Sequence, residues 1–345
     1  MPARFAVLYQ LDPTALPAIL DRLQPDEFEV RGGLALLTWG ERHETGDGRA
    51  VGTLAGVVCN DLVAAERLNR RGLAVLASEH VTLAMATVGQ GGPTGLGTLR
   101  WQGSLACMHR AQRTVMVARD PLGVGGLWHR RGPQATMLAS DPVSCAALQE
   151  GDPAQQVPAG TLALVSETSV TVLPQRPAEE NAAWFRHVPD ELRHADAAAI
   201  EAGLVQRLQE ATAAAARGLD GLVRTAPRDA AETWIAARVP VAPSLAPGGL
   251  WTLRGCASLF GEAALVERGR VSSAWPRPEP PEPTDGVDPA DRGQRWLRVT
   301  WLADDELAAE RATAFAAGQT LVAPHLDPQV LAWLGGAARG LRPRP

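Results

Sequence analysis

The chain has 345 residues, of which 46% are hydrophobic and 21% are charged, and its formal net charge is -5. This is the composition of a globular protein long enough for two domains, and its acidic balance excludes nucleic-acid binding through a strongly basic surface. All 33 positively charged residues are arginines, so the chain can form neither a lysine Schiff base nor a GK[ST] phosphate-binding loop.

The cysteines and histidines form no metal-binding or redox motif. No two of the four cysteines are close enough for a CxxC pair, and four in this length do not make a disulfide scaffold, so we expect buried free thiols. The N-terminus lacks a basic segment followed by an apolar one, and no apolar run approaches the roughly 20 residues that span a bilayer. We therefore expect a cytoplasmic protein that binds neither metal nor membrane. The cysteines are Cys59, Cys107, Cys145 and Cys256.

The first half of the chain alternates short apolar segments with turn signals. Strands are predicted at 3–9, 34–39 and 51–59, and residues 61–71 have helical spacing that ends at Gly72. Many short strands at this spacing are typical of a sheet sandwich or a layered α/β domain. A second helix is predicted at 81–88, a glycine-rich loop at 89–97, further strands at 104–109, 114–119, 126–130, 135–140, 161–166 and 170–173, and a linker at 174–189.

The second half is richer in helix signals. The Ala-rich residues 195–217 predict a long helix, followed by a short apolar run at 221–225. Acids in the first turn at 304–306 and a stop at Gly318 predict another helix over 304–317. Further helices are predicted at 230–238 and 327–335, and a Pro- and acid-rich spacer at 276–289.

The segment 114–129, TVMVARDPLGVGGLWH, resembles LFLARDRFGIKPLYY in the class II glutamine amidotransferase domains of asparagine synthetases. Five further segments match motifs of that family in the same order. Residues 56–62 correspond to GEIYN and the start of the following helix, 78–80 to SDT, 99–106 to LRGMFAFA, 137–141 to LYFASE, and 157–161 to VPPGH.

The C-terminal half carries two more blocks of resemblance. Residues 302–327, LADDELAAERATAFAAGQTLVAPHLD, are similar to LPDDLLLKADRASMAHGLEARVPFLD, and residues 253–261 are similar to a shortened LSGDGGDELFGG. The resemblance implies a protein of mixed α+β and α/β class. An N-terminal Ntn-hydrolase-like αββα sandwich is expected at 1–175, and a reduced, mostly helical α/β synthetase-like domain at 190–345.

The residues that the family's glutaminase chemistry needs are replaced. The resemblance implies an N-terminal cysteine whose free α-amino group serves as the base, but position 2 is Pro2. The oxyanion motif NGE corresponds to Ala55-Gly56-Val57, so its side-chain donor is missing, and one lost donor typically costs about two to three powers of ten in rate. Glu79 stands where SDT has its substrate-clamping Asp and keeps a carboxylate on a longer side chain.

The residues that the family's synthetase chemistry needs are also replaced. Its SGGxDS loop, which cradles pyrophosphate, is best placed at 225–230, where Thr225 and Asp229 match the motif and Pro227 removes a backbone donor. A second placement at 216–221 lacks both serines. The family's Lys, Glu and Arg of the C-terminal block fall on Ala309, Thr320 and Val322.

These replacements predict a catalytically inactive homologue with no catalytic residue, cofactor or metal. The high content of Arg, Ala, Pro and Gly with no Lys indicates a GC-rich bacterial genome. We expect a binding, scaffolding or regulatory subunit whose partner is a protein, such as an active paralogue or a larger complex, and not a nucleic acid. Two alternatives stay open. One is an ATP-dependent amide-forming or glutamine-dependent amidotransferase with rearranged sites, and the other is a structural subunit of a larger assembly. The sequence also leaves homo-oligomer formation open.

Overall fold

The computed structural model describes residues 3–173, 196–217, 222–224 and 318–331, together with 307, 311, 314, 315 and 333. The predicted linker at 174–189, the helix at 230–238, the spacer at 276–289 and Cys256 lie outside the described residues. Among the helices described, none is both long enough and apolar enough to cross a bilayer.

Residues 3–173 form two six-stranded antiparallel sheets. The first sheet has the strand order β10-β8-β9-β1-β3-β2 and the second has the order β12-β11-β7-β6-β5-β4. The strands are β1 (Arg4–Tyr9), β2 (Glu27–Arg31), β3 (Leu34–Trp39), β4 (His43–Glu44), β5 (Ala50–Val58), β6 (Trp101–His109), β7 (Thr114–Arg119), β8 (Trp128–Arg131), β9 (Thr136–Ala139), β10 (Gln155–Gln156), β11 (Leu162–Val165) and β12 (Val170–Leu173). The helices of this part are α1 (Leu16–Leu23), α2 (Asp61–Arg70), α3 (His80–Leu96) and α4 (Pro142–Ala146).

The two sheets pack face to face and each carries helices on its outer face. Phe5 and Leu36 of the first sheet share one buried cluster with Val117 and Ala163 of the second. On the far side of the second sheet, α2 and α3 bury apolar residues such as Leu68 against it. Helices α1 and α4 do the same on the first sheet. The expected αββα layering of the N-terminal part is therefore confirmed. Because both faces of the inner strands are covered, they appear in the sequence as continuous apolar runs.

The predicted elements agree with most of this part, with two differences. The residues predicted as a glycine-rich loop, 89–97, belong to α3, which continues to Leu96 across a kink at Gly92 (φ 55°). Gly92 adopts this left-handed geometry without a steric penalty, and Pro93 after it suits the first turn of a renewed helix because it lacks a backbone donor. Helices α1 and α4 and strands β2, β4 and β10 were not predicted from the sequence.

The C-terminal residues add a long helix and a parallel strand pair. Helix α5 (Ala197–Ala216) starts at Asp196, whose carboxylate accepts a hydrogen bond from the Ala199 amide at 2.8 Å. Strands β13 (Leu222–Arg224) and β14 (Thr320–Val322) pair in parallel. A 3-10 turn, Pro324–Leu326, follows β14.

The predicted helix stop at Gly318 is confirmed. Gly318 has a left-handed φ of 67°, and its amide donates to the carbonyl of Phe315, which is helical. The next amide, of Gln319, donates to the carbonyl of Ala314 at 2.8 Å. This is the hydrogen-bond pattern of a glycine-terminated helix.

Candidate functional site

The resemblance places the former glutaminase site near the end of β5, and the turn after β7 forms one wall of that corner. Asp120 lies in this turn and is fully buried. Burial raises the pKa of its carboxyl, while backbone donors oppose that shift. The carboxylate accepts backbone hydrogen bonds from Gly103 (3.1 Å), Leu122 (3.1 Å), Val124 (3.2 Å) and Gly125 (2.7 Å).

Arg119, the residue before Asp120, is also fully buried. Its guanidinium donates to the carbonyls of Gly125 (2.8 Å), Gly123 (3.0 Å) and Val157. The Arg119-Asp120 pair therefore binds backbone groups of this turn and of Gly103 and Val157 beside it, and neither side chain is available to a substrate.

Three glycines come together beside this turn. Gly56 of β5 is directly opposite Gly103 of β6, and a Cβ atom on Gly56 would lie 2.0 Å from the Gln102 carbonyl oxygen. A Cβ atom on Gly125 would lie 2.1 Å from the carbonyl carbon of Gly103. Contacts this short exclude any side chain, so packing alone accounts for the glycine at position 56.

Ala55, which replaces the oxyanion donor of the family, lies opposite Ser104 in the strand register. Its methyl group packs against the cluster between the two sheets, which also includes Phe5 of β1. The structure thus places Ala55 in the same apolar layer as Phe5. A methyl group offers no hydrogen bond to a developing oxyanion.

Glu79 lies apart from this apolar corner, at the start of α3. Its carboxylate accepts a hydrogen bond from the Leu76 amide at 3.0 Å, so it organises the loop before the helix. Burial raises the pKa of Glu41, and the negative charge of Glu79 adds to that shift. Burial lowers the pKa of His43, against the effect of Glu79. Within the residues described, no three His, Cys, Asp or Glu side chains are arranged to hold a metal ion.

Residues from the C-terminal part cover the end of β5. Val322 of β14 and Ala215 of α5 form a buried cluster with Val57 and Cys59. Val57 directly follows Gly56, so the cluster adjoins the former oxyanion position. Val322 is the residue that the resemblance assigned to the family's synthetase Arg, whereas Thr320, assigned to the Glu, pairs with Leu222 at the other end of β14.

Gln102 closes the same corner with two buried hydrogen bonds. Its side-chain nitrogen donates to the carbonyl of Ala323 at 2.7 Å, and its side-chain oxygen accepts from the Ala323 amide at 2.8 Å. The side-chain amide of Gln102 thus forms the two hydrogen bonds with Ala323 that the backbone of a neighbouring strand would form. Gln102 is 1% exposed, so this contact excludes water from the start of β6.

Two further contacts reach the β7 turn and the start of β1. Arg311 donates to the carbonyl of Gly123 at 2.6 Å. The guanidinium of Arg4 lies 4.3 Å from the ring centre of Trp39 and 5.5 Å from that of Phe315, a cation–π geometry.

Two ion pairs join the C-terminal part to the N-terminal part. The C-terminal part supplies the arginine in one pair and the carboxylate in the other. Arg217 donates to both carboxylate oxygens of Asp61, at 2.5 and 2.7 Å, and Arg100 donates to Asp327 at 2.9 Å. Burial raises the pKa of Asp61, but hydrogen bonds led by those from Arg217 outweigh that effect and bring it down to about 2. Burial raises the pKa of Asp327, although Arg100 favours its charged form. Neither pair was predicted from the sequence.

The three cysteines that the structure describes offer no replacement nucleophile at this corner. Cys59, Cys107 and Cys145 are buried free thiols, as predicted. Burial, followed by the charge of Asp327, raises the pKa of Cys59 well above its ordinary value. A thiol held protonated is a poor nucleophile. Of the other predicted positions, Pro2, Thr225, Asp229 and Ala309 lie outside the described residues.

No family model matches the chain, and no curated protein sequence does. Among solved structures, the chain is similar to a glutamine phosphoribosylpyrophosphate amidotransferase from B. subtilis complexed with ADP and GMP. That likeness has a TM-score of 0.40 and 12% identity, over 69% of this chain and 64% of that one. A structure of the allosteric regulatory enzyme of purine biosynthesis is similar with the same TM-score and identity, over 72% and 67%. The chain thus spans about two thirds of the length of each. The likeness is distant.

Proposed function

We propose that this chain is a catalytically inactive relative of asparagine synthetase that acts as a binding, scaffolding or regulatory subunit of a protein complex. The observation that supports this most directly is the apolar filling at the end of β5. Val322 and Ala215 pack on Val57 there, and Gln102 is hydrogen-bonded to Ala323. A glutaminase would need an open pocket with oxyanion donors at this place.

The chemistry left in the described corner supports the same proposal. Asp120 and Arg119 are used by the fold, because backbone partners bind both side chains. The nearby thiol of Cys59 is held protonated by burial. Ser104, opposite Ala55, has a buried hydroxyl group with no hydrogen-bond partner among the described residues, and hence no base within hydrogen-bond reach to activate it. A site without an activated nucleophile can bind a partner surface but cannot hydrolyse an amide.

The proposal is tested by assaying the purified chain for two reactions. Release of glutamate from glutamine and release of AMP from ATP with Mg²⁺ and aspartate are measured, with an active asparagine synthetase as the positive control. We expect neither product above the level of a chain-free blank. Glutamate release that disappears in Cys59→Ala, or AMP release that disappears in Asp229→Ala, would overturn the proposal.

The binding half of the proposal is tested with an active asparagine synthetase from the same cell. Sedimentation velocity of the mixed proteins is expected to show a complex of defined stoichiometry. If the two proteins sediment independently at concentrations up to about 100 μM, where an affinity useful in a cell would be visible, an active paralogue is excluded as the partner.

A further inference from the structure

The outer face of α2 and the loop after it expose an unusual share of large apolar side chains. Six such side chains are exposed in the described part of the chain, and four of them lie between residues 62 and 76. The four are Leu62, Val63, Leu73 and Leu76. Exposed apolar groups concentrated in so short a segment are typical of an interaction surface, whereas scattered ones are not.

A groove of about 330 Å³ lies on this face of α2. It is lined by Val63, Glu66, Arg67, Arg70 and Arg71, and we call it the α2 groove. Its lining contains three guanidinium groups and one carboxylate, so it has an excess of two positive charges in a chain whose net charge is -5. The net charge of the groove lining is therefore positive, whereas the net charge of the whole chain is negative.

Arg70 and Arg71 are exposed, whereas Arg67 is partly buried. Arg70 pairs with Glu66 one helical turn away, but both side chains are more than half exposed, so this pair contributes little to stability. Arg71 donates a single hydrogen bond to Gln90 at 2.9 Å. Most of the guanidinium donors in the α2 groove can therefore turn to a partner, and a guanidinium binds a carboxylate in bidentate geometry.

We infer that the α2 groove binds an acidic, amphipathic protein segment, whose apolar side chains contact Val63 and whose carboxylates pair with Arg67, Arg70 and Arg71. This inference deepens the proposed binding function and rests on it. A second copy of the chain is a poorer occupant. In a symmetric dimer the same patch faces itself, and that would bring the arginines of one copy against those of the other.

The experiment uses a fluorescein-labelled peptide of leucines and glutamates, about 15 residues long so that it can form a helix. Its leucines are spaced for one helical face, and a scrambled peptide of the same composition serves as the charge control. Fluorescence anisotropy is expected to show saturable binding of the amphipathic peptide only. Arg67→Glu with Arg71→Glu is expected to weaken it at least tenfold, which corresponds to about 1.4 kcal/mol. Added salt, about 0.5 M, should weaken it as well.

The matched control is Arg49→Glu with Arg113→Glu, an equal charge change at two exposed arginines outside the groove. It should leave the dissociation constant unchanged, and circular dichroism confirms that both double variants are folded. The inference is overturned by absence of binding up to about 1 mM peptide, a limit corresponding to about 4 kcal/mol. Equal binding of the scrambled peptide, or an equal loss in the control variant, overturns it too.

Two further outcomes would assign the α2 groove to another occupant. Concentration-dependent self-association that disappears in Val63→Ser would assign it to a second copy. Binding of a single-stranded oligonucleotide that is tighter than peptide binding, and is lost in the Arg67 and Arg71 variant, would assign it to nucleic acid. None of these results depends on the glutaminase and ATP assays, so the inference and the proposed function can fail separately.

Discussion

Arg217 and Asp61 form a two-pronged ion pair between the end of α5 and the first residue of α2. Both guanidinium-to-carboxylate distances are 2.7 Å or less, and Asp61 is 1% exposed. Arg100 and Asp327 form a second pair in which the N-terminal part supplies the arginine instead. The two pairs together fix the position of the C-terminal elements that cover the end of β5.

Removing the arginine of the first pair should therefore be costly. Arg217→Met leaves the buried Asp61 carboxylate without its cation, and losing one partner of a buried pair costs about 3 to 5 kcal/mol. We expect the lower end, about 3 kcal/mol, because about a third of the Arg217 side chain is exposed. Urea unfolding at pH 7 measures the loss of unfolding free energy.

The control for this measurement is Arg70→Met, which removes an arginine from the exposed Arg70–Glu66 pair. Exposed pairs are worth about 0 to 1 kcal/mol, so this variant should unfold at nearly the same urea concentration as the parent. A loss in Arg217→Met no larger than that in the control would contradict a stabilising role for the Arg217–Asp61 pair.

The same ion pair should make stability depend on pH in the acid range. The pKa of Asp61 falls from an ordinary value of 3.8 to about 2 in the folded chain, so the unfolded chain binds the proton more readily. The stabilisation is complete above about pH 5, declines as pH falls through 3.8, and is lost below about pH 2. We expect Asp61→Asn to be less stable than the parent at pH 6. The difference in unfolding free energy between the two proteins should be smaller at pH 4 and smaller again at pH 3.

The comparison with Asp61→Asn isolates this residue because other buried acids act in the opposite direction. Burial raises the pKa of Asp120 and of Asp327 in the folded chain, and both remain in the variant. Urea midpoints of the two proteins are compared at each pH. A difference that stays constant from pH 6 to pH 3 would show that the charge of Asp61 does not stabilise the fold.

Gln102 gives a prediction that involves no charge. Gln102→Met keeps the length of the side chain but leaves the buried amide of Ala323 without a partner, whereas the Ala323 carbonyl keeps its hydrogen bond from the Leu326 amide. An unsatisfied buried polar group costs about 1 to 3 kcal/mol, so we expect a loss of about 1 to 3 kcal/mol in unfolding free energy. Gln90→Met, which removes one exposed hydrogen bond to Arg71, should change it by less than about 0.5 kcal/mol. Equal losses in the two variants would disprove a specific role for Gln102.

Much of the N-terminal architecture could be predicted from the sequence because its inner strands are buried on both faces. Strand β3, for example, is buried along its whole length and occupies the residues 34–39 predicted for it. Helix α1 was missed although Leu16, Ile19, Leu20 and Leu23 have helical spacing. The predicted loop at 89–97 was wrong because consecutive glycines and a proline signal a loop, whereas here they are absorbed by one kink at Gly92 in α3.

The candidate site could be predicted only in part. A motif match locates Ala55 and Gly56, and the apolar residues around them in the sequence predict that they lie on a strand. The residues that close the corner are far away in sequence: Val322 packs beside Val57 and Ala323 bonds Gln102 across more than two hundred residues. Local periodicity carries no information about such pairs, so the covering of the corner appears only in the structure.

The covering of this corner predicts that introducing the catalytic groups implied by the resemblance will not produce catalysis. Pro2→Cys with Ala55→Asn returns the nucleophile and the side-chain donor implied by the resemblance. We expect this double variant to release no glutamate from glutamine above the level of the parent chain. The reason is that Val322 and Ala215 still fill the space beside Val57, and a glutamine side chain has no pocket to enter. Thermal unfolding confirms that the variant is folded, and labelling with iodoacetamide, compared with the parent chain, confirms that the introduced thiol is present.

A further variant tests whether packing at the end of β5, and not a missing catalytic group elsewhere, keeps glutamine out. Val322→Gly in the double-variant background removes two methyl groups and Cβ from the cluster around Val57 and opens space there. Binding of a glutamine-derived affinity label, a diazoketone that alkylates a nucleophilic thiol, is then compared in the two backgrounds. Faster labelling after Val322→Gly is expected if side-chain packing at the end of β5 is what keeps glutamine out. Glutamate release by Pro2→Cys with Ala55→Asn alone would instead show that the corner admits glutamine as it stands, and that the loss of activity lies in the two replaced residues.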